Sequence, residues 1–416
     1  MTDPIAEPLI ARFFRYLSVA SQSDAAATAL PSTPGQLRLA EMLERELDEA
    51  GAADVHLGPD GILTARLPGT AAARGAPAIG FVAHLDTVDV GLSPDVRPQR
   101  LRFEGGDLLL DAERDTWLRA AEHPELLPYR GEEIVFGDGT SVLGADNKSA
   151  VAILMTLADE LPRRGAPHGD ILLAFVPDEE IGLRGAKALD LARFPAAFAY
   201  TIDGGERGEV VHETFNAASA RITIDGVTAH PVSAKGVLVN PILLATELIG
   251  SFDALQTPEH TAGREGYWWF NRIGGDQARA TLDMSIRDHD AGRFAGRKRA
   301  VEEAVEAMRA RHPRARFDIA VTDVYANIDD ALGGDRTAVD LIFRALAERG
   351  IAPRVVPMRG GTDGSALSAR GLPTPNYFTG GLNFHSRFEC LPVAAFADAY
   401  RVTEALCRLA AEPSEA

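Results

Sequence analysis

Apolar and polar positions along the chain follow two designs, each of which predicts a class of element. AIGFVAHLDTV (78–88), ILLAFVPDEE (171–180) and AYTIDGG (199–205) are nearly continuous apolar runs that end on acids or on histidine. Such runs suit strands covered on both faces. KSAVAILMTLADELP (148–162) reads as a helix that begins directly after Asp146. Residues 5–20 also alternate at helical spacing. A further helix is marked by Thr33-Pro34-Gly35-Gln36, which offers an N-cap, a Pro at N1 and a capping-box Gln at N3. Leu37, Met42, Leu43 and Leu47 would line its inner face, and Gly51 would end it. Strand alternating with helix predicts an α/β sheet, which binds its ligands at the carboxyl ends of its strands.

From about residue 216 the period changes. SARITIDG alternates with period two, GVLVNPILLATELIGSF reads as a helix, and EGYWWFNRI and ARATLDMSIR as two strands. AGRFAGRKRAVEEAVEAMRARH is a second helix and RFDIAVTDV a last strand. The order β-α-β-β-α-β predicts an inserted ferredoxin-like α+β domain over 216–323. The chain then returns to α/β character, with helices near 336–349 and 392–411 and strands near 354–357 and in PTPNYF. The main domain is therefore discontinuous, spanning 1–215 and 324–416, with a mixed, mostly parallel sheet.

Composition narrows the function classes. The chain has 416 residues, 46% of them hydrophobic, and a formal charge of −18. That length favours two domains, and that charge repels nucleic acid and anionic membranes. Two cysteines, Cys390 and Cys407, exclude a disulfide framework and fit a reducing compartment. The N-terminal stretch lacks the parts of a signal peptide, and no apolar run is long enough for a membrane span. A soluble cytoplasmic protein is expected.

The chemistry lies where the apolar runs stop. His84 and Asp86 in HLDT, Asp146 in GADNK, Glu179 and Glu180 in PDEE, Asp203 in IDGG and His385 in NFHS each follow such a run or sit in a tight turn. Two imidazoles and several carboxylates meeting in one cleft suit a pair of zinc-like ions. Asp146 is expected to bridge them, with His84 and Asp203 completing one ion and Glu180 and His385 the other. Asp86 is placed to fix the tautomer of His84. Adjacent carboxylates repel unless positive charge compensates, so Glu179-Glu180 calls for two roles, a ligand and a free base. In the inserted domain His230, Lys235, Asn240 and Arg287 are donors and cations suited to an oxyanion or a terminal carboxylate. RGGTDGS (359–365) lacks the Gly-Lys-Ser/Thr of a phosphate loop, which removes a nucleotide reading. Asp363 is expected to cap a short helix, with Arg359 or the loop backbone lining the cleft. The WWF run at 268–270 is assigned to core or to an interdomain surface.

Motifs running almost from end to end resemble the peptidase T family of dinuclear-zinc metallopeptidases. They include HLDT (84–87), LGADNK (143–148), PDEE (177–180), TIDGG (201–205), FNAAS (215–219), IRDHD (286–290), RGGTDG (359–364) and NFHS with Glu389 (383–389). The resemblance implies a cytoplasmic aminopeptidase that releases the N-terminal residue of short peptides with a free N-terminus, chiefly tripeptides. It implies two Zn2+ per subunit, or another divalent ion, held by His84, Asp146, Glu180, Asp203 and His385. Glu179 would be the general base and Asp86 the residue that orients His84. The inserted domain would act as a lid, with His230 and Arg287 touching the peptide, and a homodimer is compatible with this reading. The chain departs from the family at Asn147, where a second Asp is usual, at Val232-Ser233, at His289 and at Cys390 after Glu389. A dipeptidase, a carboxypeptidase or an N-acyl amino acid deacylase would share the ligands. A metal-dependent binding protein without catalysis would have no need of a free base at Glu179.

Overall fold

The computed structural model describes residues 3–412, which divide into two compact units. The first comprises residues up to 212 together with 334–356 and 362 onward; the second comprises 213–333 and 357–361.

The first unit is built on an eight-stranded mixed sheet. Its order is Ala53–Leu57, Leu63–Leu67, Ile171–Val176, Ile79–His84, Phe198–Gly204, Asn376–Phe378, Glu209–Val211 and Arg354–Val355. The four strands from Ile171–Val176 to Asn376–Phe378 run parallel. All six residues of Ile79–His84 and all six of Ile171–Val176 are buried, which is why they read as unbroken apolar runs. The helix Ala145–Arg164 packs on this sheet, and Ala6–Leu17 and Val393–Leu409 pack against that helix. Two elements lie in a stretch whose pattern gave no sequence signal. Gln99–Phe103, Glu132–Phe136 and Cys390–Pro392 form a three-stranded antiparallel sheet, and Leu108–Asp111 pairs with Thr116–Leu118.

The second unit is an antiparallel sheet in the order Tyr267–Gly275, Arg279–Asp288, Asn216–Asp225, Arg316–Tyr325, with helices Pro241–Ile249 and Ala291–Arg311. Its chain order is β-α-β-β-α-β. The first of these helices is shorter than its apolar run, because Asn240 caps it by accepting from the N–H of Ile242, and Val227 and Val239 pair as a bridge upstream. Trp268 packs edge-on against Phe252, while Trp269 is exposed. Cys390 and Cys407 are buried and unpaired. Among the described residues no helix is long and apolar enough to cross a membrane.

The second helix of the chain corrects the expectation drawn from its capping motif. It spans Pro34–Glu49 with Pro at N1, and Gly51 follows in left-handed geometry. The Thr33 side chain does not cap it; its hydroxyl donates to the carbonyl of Gln22 instead. The inner face runs through Leu39, Ala40, Leu43 and Leu47, with Leu37 only half buried. Gln36 turns away from the helix end to grip Asp178, donating to Oδ1 at 2.7 Å and accepting from the Asp178 N–H at 2.9 Å. Ser32 donates to the same carboxylate from its N–H and its hydroxyl, and Arg184 lies 3.1 Å away. A long-range buried anion outcompetes a local cap, because its donors have no water to fall back on. Asp178 sits in the left-handed region (φ 59) between the strand Ile171–Val176 and the pair Glu179-Glu180. Asp178→Ala would leave these donors buried without an acceptor, at a cost of about 3 kcal/mol. A urea titration monitored by circular dichroism should show that loss; an unchanged midpoint would refute the anchoring role.

Candidate metal centre

The parallel strands deliver the site. His84 ends Ile79–His84, Asp203 lies in the last turn of Phe198–Gly204, and Glu179-Glu180 follow the strand Ile171–Val176. Asp146 stands at the head of the helix Ala145–Arg164 but outside helical geometry (ψ 100), joined to Asn147 by a cis peptide bond. Gly144 holds the N-cap position of that helix, and no side chain caps it. His385 sits in the turn before Cys390–Pro392, also with left-handed backbone (φ 59). Non-glycine residues rarely adopt that region, at a cost of about 1 kcal/mol each, and Asp178 and His385 both do so here.

Asp146 is the centre of that cluster. Its Oδ1 lies 2.9 Å from His84 Nε2 and its Oδ2 lies 3.1 Å from His385 Nε2. His84 Nε2 is also 3.7 Å from Asp203 Oδ1, and His385 Nε2 is 3.0 Å from Glu180 Oε1. Donor atoms of His84, Asp146 and Glu180 fall within 4.8 Å of one another. The five residues thus divide into two sets that share Asp146. Glu180 Oε1 is buried, and the group it faces is His385 Nε2 at 3.0 Å. Such an acceptor, aimed into a ring of other donor atoms, is what a cation would satisfy.

The electrostatics point the same way. Burial opposes charge on His84, yet the carboxylates of Asp146, Asp203 and Asp86 outweigh it and hold the imidazole well above its ordinary value. Hydrogen bonds donated to the Asp146 and Glu180 carboxylates raise His385 to about 10. Burial and the neighbouring charge of Asp146 push Asp203 up to about 7 and Glu180 upward as well. Burial would raise Asp146 too, but His385 and His84 hold it well below the usual carboxylate range. Negative charge is in excess here, and divalent cations relieve that excess without protonating the carboxylates. Mixed imidazole and carboxylate donors suit zinc.

Around these donors lies a ring of orienting contacts. His84 Nδ1 approaches the Asp86 carbonyl at 3.1 Å and Asp86 Oδ1 at 3.4 Å. The Asp86 carboxylate also accepts the N–H groups of Glu179 (3.0 Å) and Glu180 (3.1 Å), so one buried side chain orients both the imidazole and the acidic turn. Asn147, the departure noted in the sequence, donates to Asp203 Oδ1 at 3.0 Å and to the Ile202 carbonyl. A second Asp there would place two bare carboxylates in contact, whereas the amide bonds one. Glu179 accepts no hydrogen bond on its carboxyl among the described residues, and burial pushes that carboxyl well above its ordinary value.

The structure also brings in residues that sequence reasoning passed over. Asp363 is not a cap, because Thr362 holds the N-cap position; Asp363 is buried with Oδ1 unbonded, and its charge is felt by Glu179. The Glu389 carboxylate accepts the N–H groups of Gly144 and Asp146. The motif NFHS with Glu389 carried the second of these as a match but gave it no role. Lys148 is fully buried and donates to the Val19 carbonyl at 2.6 Å, which fixes the helix head to the N-terminal segment.

His230, Lys235, Asn240 and Arg287 lie in the second unit, and no hydrogen bond joins them to one another among the described residues. His230 Nδ1 accepts from the Val232 N–H, Lys235 is exposed, and Asn240 caps its helix. Arg287 donates to the carbonyls of Ala218 and Ile286 and lies over the Tyr325 ring. Arg359 also belongs to the second unit, where its guanidinium stacks on Phe215 and Tyr267 and bonds Gly263, Glu265 and Thr261.

Comparisons with known proteins agree in kind. The model of peptidase family M20/M25/M40 matches residues 110–409. A Peptidase T-like protein of Yersinia pestis is 58% identical over 412 residues, covering 99% of this chain and 100% of its own length. Peptidase T of Brevibacillus brevis is 43% identical over 387 residues, covering 92% of this chain and 94% of its own. Among solved structures, the aminopeptidase PepT of Bacillus cereus superposes with a TM-score of 0.76 at 23% identity, covering 98% of this chain and 99% of that one, a likeness of fold.

Asp146→Ala removes the atoms shared by both donor sets. It is expected to lower zinc affinity by more than about tenfold. Emission spectroscopy on the dialysed protein would check this, and a variant with full metal content would end the bridging assignment.

Proposed function

The chain belongs to peptidase family M20/M25/M40, and on that footing we propose that it is a zinc-dependent aminopeptidase, acting in the cytoplasm, that removes the N-terminal residue from short peptides, chiefly tripeptides. Two zinc ions would be held, one by His84 and Asp203, the other by His385 and Glu180, with Asp146 available to both. The observation that carries this reading is the division of Asp146, whose two oxygens face two different imidazoles. Relatives named Peptidase T at 43% identity support the substrate class.

When bound, the ions polarise the scissile carbonyl and acidify water at neutral pH. The residues supply the rest. Glu179 accepts a proton from the attacking water and hands it to the leaving amine nitrogen. Its fitness for that task comes from its place: it adjoins the ligand Glu180, but its own carboxyl is left without a hydrogen-bond partner among the described residues, and burial raises its proton affinity. Asp86 holds His84 in one tautomer and, through two N–H groups, holds the turn that carries Glu179 at a fixed height. The two buried, unpaired cysteines accord with a reducing compartment.

Glu179→Gln keeps the volume and removes the base. It is expected to retain both ions while kcat falls by about 10²- to 10⁴-fold. Near-normal turnover in that variant would refute the assignment. Unblocked tripeptides should be cleaved with release of the N-terminal residue, and a chelator should stop the reaction. Efficient hydrolysis of N-acetylated peptide instead would turn the reading toward a deacylase.

A further inference from the structure

We propose that Glu389 is a positioning residue, a two-oxygen clamp that sets the bridging Asp146 between the two imidazoles; this rests on the reading of Asp146 as the shared ligand. Glu389 is buried, and each carboxylate oxygen takes one backbone donor. Oε2 accepts the N–H of Gly144 at 2.9 Å and Oε1 the N–H of Asp146 at 3.0 Å.

The need for such a clamp follows from the local backbone. Gly144 is left-handed (φ 78), and Asp146 and Asn147 lie outside helical geometry, so this segment's donors cannot be met by the helix that follows. Buried donors without acceptors cost about 1–3 kcal/mol each. The acceptor arrives from the turn that carries His385. That turn is closed at its base by the reciprocal hydrogen bonds of Leu382 and Cys390, and Glu389 donates its own N–H to Ser386 within it. One side chain therefore ties the segment bearing Asp146 to the segment bearing His385. The 3.1 Å approach of His385 Nε2 to Asp146 Oδ2 spans those same two segments.

The choice of a carboxylate is informative. Burial and the nearby charge of Asp146 both disfavour another anion at this place. A glutamine of the same size would avoid that cost. Its amide, however, offers one acceptor and would turn an N–H₂ group toward the second backbone donor. A carboxyl group at a place that penalises its charge is accounted for by its two oxygens, both of which face a backbone donor.

The test is zinc affinity, measured by competition with a chromophoric chelator on folded protein, together with steady-state kinetics on an unblocked tripeptide and the melting temperature of the metal-free form. For Glu389→Gln, zinc affinity is expected to fall by about 10- to 100-fold. At saturating zinc, kcat should fall while KM changes by less than about threefold. Glu389→Asp keeps the charge but is too short to span both donors, so it should fall with the glutamine variant. It also carries the test should the glutamine variant not fold. A purely structural role would lower the metal-free melting temperature and leave zinc affinity unchanged, and that result overturns the clamp. Full recovery in Glu389→Asp overturns it too, in favour of charge alone. A wild-type chain that binds no zinc refutes the metal centre itself, and the inference with it.

Discussion

Like charges confined to a small volume away from water govern this molecule. Asp86, Asp146, Glu180 and Asp203 crowd around two imidazoles, with Glu179 and Asp363 close behind. In water such a group would disperse or take up protons. Here the backbone forbids dispersal, because each side chain is fixed to the end of a strand or the head of a helix. The two imidazoles offset part of that charge, a cation would offset more, and Asp146 presents one oxygen to each imidazole.

Holding that arrangement requires a second set of groups whose work is orientation. Asp86 bonds the turn of Glu179 and Glu180 while addressing His84. Asn147 bonds Asp203, Asn376 accepts the Asp203 N–H, and Asp178 is gripped by Ser32 and Gln36. Apart from the contact of Asp86 with His84, each of these joins segments far apart in sequence. They divide the site into donors aimed inward and groups that hold those donors in place, and Glu179 and Asp363 belong to neither set.

The left-handed residues Asp178 and His385 fit the same scheme. Both begin or form turns that must reverse the chain within a residue or two of a ligand. A more relaxed backbone would carry the side chain past the cluster. The modest cost of each is offset by hydrogen bonds on either side.

Much of this was legible in the sequence, and the reason is periodicity. Strands buried on both faces must be continuously apolar, so Ile79–His84, Ile171–Val176 and Phe198–Gly204 declared themselves, and with them the acids and the histidine just beyond their ends. Alternation with period two marked the sheet of the second unit in the same way. The three-stranded sheet holding Gln99–Phe103 and Glu132–Phe136 escaped notice because its strands are short and half exposed, with no steady alternation. Which carboxylates bind and which only orient could not be read from residue type. Gln36 has the spacing of a local cap and instead holds Asp178; Asp363 has the place of a cap and is buried behind the site; Glu389 is a motif match whose role the pattern does not reveal. Local pattern determines whether a segment is helix or strand, because that depends on neighbours one to four positions away. The partner of a buried polar group is decided only when distant segments meet, since the hydrogen bond it makes depends on which donors are shut away from water beside it.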